Sequence, residues 1–425
     1  MTAAGTAFEV LDALGLARLV KRSGDLGGSA PLRVTQGCVP MLEGNAFGFQ
    51  ITLHHPIVLR CSLDRVAVEI AAPYGEALVA AHRGALRRLI AQGFLPPDGL
   101  LATVFADDFV KVEGAGPGNV HVRLWTGLCV RADAGVWLRV SATANRRNRF
   151  IDVEERLIAD DGAFVPLILD MKLRADAPGQ VRLEGEIGTV APFAPGAHID
   201  DVPLAEAPEI GAAHAAFYDD AYFEAKNGNL TRKYRKMKPF PDALESDAPA
   251  RCRVITVGPA AHTITGAIPR VVFANLVPFE ACYDGYTLTV APDLHVLRAG
   301  ARAVERTFAE ALGPTFLGKN RRAMWYFTKY FTPHPPGEPH FFVKPWAFMQ
   351  TPPGWSCVLE GVHGDGFDVL RGVVATDVFH ATPAVFQIYR AGQPIRVGFG
   401  EPLLHVMPIP RRLLQAGFRL AAFRD

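Results

Sequence analysis

One long stretch of this chain occurs twice, and a repeat of that length restricts the fold to two similar domains rather than a stack of short units. Gly37-Cys38-Val39-Pro40, followed by Asn45 and Phe49, recurs as Gly266-Ala267-Ile268-Pro269, followed by Asn275 and Phe279. Trp125 followed by Gly135-Val136-Trp137 is echoed by Trp346 followed by Gly354-Trp355. Each copy then closes on Gly-Glu and an apolar run, Gly185-Glu186 to Pro195 and Gly400-Glu401 to Pro410. The landmarks run from Pro40 to Pro195 and from Pro269 to Pro410, most of the 425 residues.

Composition narrows the class further. A chain of this length with 49% hydrophobic and 20% charged residues buries large cores and is not disordered over most of its length. Lys plus Arg is 44 against 43 for Asp plus Glu, a balance that argues against nucleic acid as the general partner. The six cysteines stand far apart without a C-x-x-C pair, which suits reduced thiols in a cytoplasm. Residues 1–22 lack signal-peptide features. No apolar run is long enough for a membrane span.

Periodicity predicts a strand-rich chain with few helices. Ala7, Val10, Leu11 and Leu14 share one helical face, so residues 3–22 read as an amphipathic helix. Helices are also expected over 76–92, 204–226 and 299–312. Short β-branched and aromatic runs between turn residues predict strands, among them 120–124, 136–141, 165–173, 340–343, 355–360 and 384–389. The expected fold is mainly β with some α: two tandem, similar β-sandwich or partly closed barrel domains packed as a pseudo-dimer. The expected boundaries are 1–30 for the N-terminal helix and loop, 31–200 for the first repeat, 201–258 for a helical and basic connector, and 259–425 for the second repeat. Within the connector, six basic residues fall between Lys226 and Lys238. Arg232, Lys233 and Arg235 could grip an anionic substrate there, or form a solvated loop balancing the neighbouring acids.

Three motifs of the second copy carry a family resemblance: Thr351-Pro352-Pro353-Gly354-Trp355, Leu370-Arg371-Gly372-Val373-Val374-Ala375-Thr376-Asp377, and Gly400-Glu401-Pro402 with Pro408-Ile409-Pro410-Arg411. They resemble a family of uncharacterised bacterial proteins known only as a domain of unknown function, with T-P-P-G-aromatic, E-T-D-W and G-E-P strands. Cys38-Val39-Pro40-Met41 and Asn45-Ala46-Phe47-Gly48-Phe49 are similar to its early segment. The chain departs from the pattern at Ala375 and Val378, where the family has Glu and Trp. Family members are single-copy, so the resemblance implies a doubled version; it implies no activity.

Standard catalytic signatures are missing: no G-x-S-x-G, H-E-x-x-H or Walker A sequence occurs. Gly114-Ala115-Gly116-Pro117-Gly118 reads as a hairpin turn. His363 and Asp365 followed by His405 have the order of two histidines and one carboxylate on a ferrous ion, with Arg411 and Arg412 beyond to hold a co-substrate carboxylate. The same His-Gly-Asp also suits a plain turn between strands.

His121 and His340 each precede the tryptophan landmark by an even number of residues, four and six, while Glu186 and Glu401 open the closing strands. A histidine and glutamate on neighbouring strands could work as acid and base, or hold a hydrogen bond the fold needs. The dense aromatic run Trp325 to His334 could line a pocket or pack a core. Asn45 and Asn275 are read as turn-fixing residues and His82 as a core histidine.

The function expected is a cytoplasmic bacterial enzyme modifying a small molecule in specialised metabolism, active in the second copy through His340, Asp377, Glu401 and His405. Trp346 and Trp355 would face the substrate, and Fe(II) is the candidate cofactor. The competing expectation is a non-catalytic ligand-binding or scaffold protein. A homo-oligomer is compatible with either; a membrane partner is not expected.

Overall fold

The computed structural model describes residues 5–21, 38–61, 66–70, 75–105, 109–114, 120–143, 145, 150–174, 177, 179–225, 234, 250–259, 261–333, 338–361 and 363–422. The fold is mainly β, in open sheets without a closed barrel among the described residues. Two compact units emerge, and both are discontinuous in sequence. The described residues of the first come from 5–21, 46–194 and 412–422, those of the second from 38–45 and 195–411. These boundaries differ from the contiguous ones expected at 31–200 and 259–425, because both terminal segments supply strands to the first unit's sheets, while residues 38–45, all but the first in a helix, group with the second unit.

In the first unit, the N-terminal segment is not the helix its periodicity suggests. It forms β1 (Thr6–Asp12) and β2 (Ala17–Lys21), with Phe8 buried alongside Ala7, Val10 and Leu11. β1 pairs antiparallel with β7 (Val120–Ala132) and parallel with β30 (Gly417–Ala421), so long-range pairing overrides the local spacing. Asp12 Oδ1 accepts from the backbone N–H of Leu14 (3.2 Å) and Gly15 (2.8 Å). Gly15 takes the left-handed φ of +66° that the turn needs, a conformation open to glycine at no steric cost.

The remaining strands of this unit are β3 (Phe49–Leu53), β4 (Ile57–Cys61), β5 (Val66–Ile70), β6 (Val110–Glu113), β8 (Trp137–Ser141), β9 (Ile151–Val153), β10 (Arg156–Ile158), β11 (Val165–Leu173), β12 (Gln180–Leu183) and β13 (Glu186–Phe193). One sheet runs β2-β3-β13-β8-β10, a second β5-β4-β12, and a third β30-β1-β7-β11-β9 with β6 beside β7. The helix Gly75–Ala91 carries His82, fully buried, with Nε2 donating to Phe105 O at 2.6 Å and the ring edge-on to Trp125. It is the core histidine its place on the apolar face suggests. Residues 115–119, which include most of the glycine-rich segment, lie outside the described residues, although β6 and β7 on either side pair antiparallel.

The second unit contains β14 (His198–Pro203), β15 (Arg251–Thr256), β16 (His262–Thr265), β17 (Arg270–Ala274), β18 (Phe279–Tyr283), β19 (Leu288–Pro292), β20 (Phe331–Pro333), β21 (His340–Val343), β22 (Ala347–Gln350), β23 (Trp355–Gly361), β24 (His363–Gly364), β25 (Phe367–Leu370), β26 (Gly372–Val374), β27 (Ala384–Ile388), β28 (Ile395–Val397) and β29 (Pro402–Pro410). Its sheets run β16-β17-β29-β23-β26 and β19-β18-β28, matching the first unit's first two sheets position for position. β14 pairs parallel with β15, as β30 does with β1. β14 is the next strand after β13, and β30 the next after β29.

The third sheet differs. Where the first unit has the continuous 13-residue β7, the second has β21 and β22 in separate sheets, interrupted at Lys344-Pro345-Trp346. Pro345 has no backbone N–H to give to a ladder, which is the local reason for the break.

Register identifies corresponding residues. Trp125 N–H donates to Phe109 O (2.9 Å) and Lys344 N–H to Tyr330 O (2.8 Å); Gly127 O accepts from Ala13 N–H (2.9 Å) and Trp346 O from Val257 N–H (3.1 Å). Lys344 thus corresponds to Trp125, and Trp346 to Gly127. The two tryptophans read as one landmark stand two positions apart. His121, opposite Lys172, and His340, opposite Gln387, do correspond. Asn45 and Asn275 do not: Asn45 lies in the helix Val39–Ala46, and Asn275 follows β17.

Candidate functional site

The break between β21 and β22 opens a pocket in the second unit. Lys344, Pro345, Trp346, Ala347 and Phe348 form one side, Tyr326 and Phe327 another, with His214 and the segment Phe379 to Pro383 completing it. Helix geometry supplies the aromatic walls. The helix Arg321–Thr328 brings in Tyr326 and Phe327, and Pro208–Ala225 brings in His214, stacked on Phe327 at 5.3 Å and edge-on to Phe348 at 4.6 Å. Trp346 is seated by a glycine: on the helix Leu294–Leu312, a Cβ at Gly300 would lie 2.0 Å from two carbons of the indole. That helix starts at Asp293, whose carboxylate accepts from His295 and Val296 N–H at 2.9 and 3.1 Å, the usual way an N-cap satisfies a helix's first donors.

The polar groups of this pocket are few, and most are donors. Lys344 is partly buried; its Nζ reaches Tyr326 O at 3.4 Å and lies 5.4 Å from the centre of the Tyr326 ring. Loss of solvent, helped by the nearby Lys329 charge, brings its pKa down from 10.5 to about 8, because burial penalises the charged form. His214 is fully enclosed; desolvation, then the charges of His380 and Lys344, push its pKa well below 6.5, so the ring is neutral. Trp346 Nε1 and Thr382 Oγ1 are buried without a hydrogen-bond partner among the described residues. Among the described residues the lining includes no carboxylate. An apolar, aromatic chamber with a lysine on its wall suits a planar ligand.

The residues singled out by sequence are distributed differently. Trp346 does wall the pocket, as do Tyr326 and Phe327 of the aromatic run. Trp355, His340, Asp377, Glu401 and His405 do not line it. His340 is buried on β21, whereas Glu401 is exposed ahead of β29, in another sheet. In the first unit His121 meets Glu154 at 3.6 Å, not Glu186. His405 faces Val272 and Glu360 across its sheet.

Asp377 and Arg411 form an ion pair with side-chain exposures of 4% and 5%. Arg411 also donates to Ser356 Oγ (3.1 Å) and Trp355 O (2.8 Å), and Asp377 accepts from Gly354 N–H (3.2 Å). This pair ties the T-P-P-G-W turn to the end of the closing strand; Arg412, next in the chain, is exposed. Tyr234, from the connector, reaches the same region, its hydroxyl accepting from Ala375 N–H at 2.8 Å. Arg232, Lys233 and Arg235 lie outside the described residues.

Among the described residues no group of three or more His, Cys, Asp or Glu is arranged to hold a metal ion. Asp365 pairs with Arg390 at 3.0 Å, and the side chain of His363 lies outside those described. The Asn275 carbonyl accepts from Val277 N–H at 3.4 Å, the local bond read for it. Its other bonds are long-range: the amide donates to Val397 O and Gly398 O, and the carbonyl accepts from the Tyr330 hydroxyl at 3.1 Å. Sequence reasoning missed Lys344. The available signal was Pro345 inside a strand pattern, which marks where a ladder must open.

Neither a protein-family model nor a curated protein matches the chain. Among the described residues no helix is long and apolar enough to cross a membrane.

Proposed function

We propose that this protein is an enzyme that modifies a small molecule in the pocket of its second unit, with Lys344 as the group that meets the substrate. The observation that supports the reading most is the Lys344 amine, its pKa lowered to about 8 on the wall of an aromatic pocket, a combination typical of functional sites. Such an amine serves as base or nucleophile at ordinary pH, where a solvent-exposed lysine is almost wholly charged. The doubled architecture fits a division of labour, since the corresponding position in the first unit is the fully buried Trp125. The free thiols of Cys38, Cys129, Cys252, Cys282 and Cys357 fit a cytoplasmic setting. The bacterial domain family whose strand motifs the chain resembles is part of the same proposal, as its single-copy relative.

The test is a thermal-shift screen of planar metabolites bearing carboxylate or carbonyl groups, repeated on Lys344→Met. Ligands of this pocket raise the melting temperature of the native protein and lose most of that effect in the variant. Turnover of a binder, followed by mass spectrometry, then separates enzyme from carrier. The carrier reading draws on a described lining that includes no carboxylate to act as partner acid or base; it is correct if every binder is recovered unchanged.

A further inference from the structure

We infer that the substrate of this pocket is a small planar carbonyl compound, captured by the Lys344 amine as an imine beside the rings of Tyr326, Trp346 and Phe348. The inference rests on the reading of the pocket as a small-molecule site and goes further by naming the class of substrate and the bond that forms.

Two features converge on it. The first is Lys344 on the pocket wall, placed where the strand is broken by Pro345, with its Nζ 5.4 Å from the centre of the Tyr326 ring. The second is loss of water: Lys344 shares its lining with Tyr326, Trp346 and Phe348, and desolvation there works towards the neutral amine. A site built simply to bind a carboxylate would gain from a fully charged lysine, whereas carbonyl capture needs the free lone pair.

The nitrogen lone pair of neutral Lys344 forms a bond to the carbonyl carbon, and the carbonyl π pair moves onto oxygen. A proton passes from nitrogen to that oxygen, giving a carbinolamine. A second proton, from solvent, allows the oxygen to leave as water while the nitrogen lone pair closes the C=N bond. Amine, carbonyl and one proton become a protonated imine and water, with no change of oxidation state. The resulting cation stays beside the Tyr326 ring, whose centre lies 5.4 Å from Lys344 Nζ, and a ring face at that range favours positive charge.

The experiment uses the full chain, 4-carboxybenzaldehyde as probe and sodium cyanoborohydride to reduce any imine to a stable amine, at about pH 7.5, followed by peptide mapping. At that pH a lysine of pKa about 8 is neutral on the order of a hundredfold more often than one at the ordinary value. The Lys344 peptide is therefore expected to carry the reduced adduct at least about tenfold faster than any other lysine peptide. Lys344→Arg, which keeps the cation but forms no such adduct, is expected to show none at that position. The wild-type map decides the matter even if this variant does not fold. Labelling spread evenly over surface lysines, or an unlabelled Lys344, overturns the inference. If Lys344 is unlabelled while 4-carboxybenzoate still raises the melting temperature, the imine is wrong and the pocket reading stands. If there is neither adduct nor thermal shift, both fall.

Discussion

Lys344 occupies in the second unit the position that Trp125 holds in the first: each backbone N–H donates to the residue just before a preceding short strand, Tyr330 O at 2.8 Å and Phe109 O at 2.9 Å. Trp125 fills its unit's interior, its indole N–H satisfied by Leu128 O at 3.0 Å. Lys344 leaves space, and the strand that runs on unbroken past Trp125 is interrupted beside it by Pro345. One topology thus supports a packed core in one unit and a pocket in the other.

The Lys344 amine gives a pH-dependent stability with a definite sign. Its folded pKa of about 8 lies below the ordinary 10.5 of the unfolded chain. The buried ammonium therefore opposes folding fully below pH 8 and ceases to do so as pH rises through about 10.5. Lys344→Met is expected to melt higher than the native protein at pH 7, by an equivalent of up to about 3 kcal/mol. The gain should shrink to nothing by about pH 10.5. Melting curves across this range check it, and a variant less stable at pH 7 would contradict the burial argument.

His214 acts in the opposite pH range. Its folded pKa lies well below 6.5, so below that value the unfolded chain takes up a proton that the folded chain refuses, and stability falls as pH falls. Rings of Phe327, Phe348 and Phe379 surround it within 5.4 Å, an environment that accepts another ring. His214→Phe should therefore flatten the loss of stability between about pH 6.5 and pH 5. Part of that loss remains through His380, whose pKa burial also lowers. Denaturant titrations at several pH values measure the slope.

Two glycine-to-alanine changes on helices should have opposite signs. Gly84 has nothing within 4 Å of where a Cβ would stand. Alanine there is expected to stabilise by about 0.5–1 kcal/mol through reduced backbone entropy of the unfolded chain. At Gly300 the same methyl would meet the Trp346 indole at 2.0 Å. Gly300→Ala should cost about 2–3 kcal/mol and displace the pocket wall. Denaturation midpoints report the first effect, and ligand-induced thermal shifts the second.

Removing one member of the Asp377–Arg411 pair strands a charge that is almost completely buried. Asp377→Asn or Arg411→Met is expected to destabilise by about 3–5 kcal/mol, whether or not the pocket is occupied. A catalytic part for Asp377 predicts the reverse pattern, normal stability with lost turnover, so chemical denaturation of Asp377→Asn distinguishes them.

The β content, the helices near 76–92 and 299–312 and several strand bounds were legible from residue order, since β-branched and aromatic runs and turn residues act over a few positions. Val165–Leu173 and His340–Val343 form the strands that those runs predict. The same local reading failed at residues 3–22, where apolar spacing fits a helix. Only pairing with β7 and with β30, at the far end of the chain, makes a strand of it. Local reading also placed Trp346 opposite Trp125, because a two-position offset between copies is invisible until backbone hydrogen bonds set the register. Composition could nominate histidines and carboxylates, but it could not tell that Asp377 is taken by Arg411 or that Glu401 and His340 lie in different sheets. Lys344 looks like any other lysine in sequence; its chemistry arises from the water removed by Tyr326, Trp346 and the broken strand around it. Local propensity determined most of the strands. Burial and register, which join residues far apart in the chain, decided that Asp377 is paired with Arg411 and that Lys344 is set in a pocket wall.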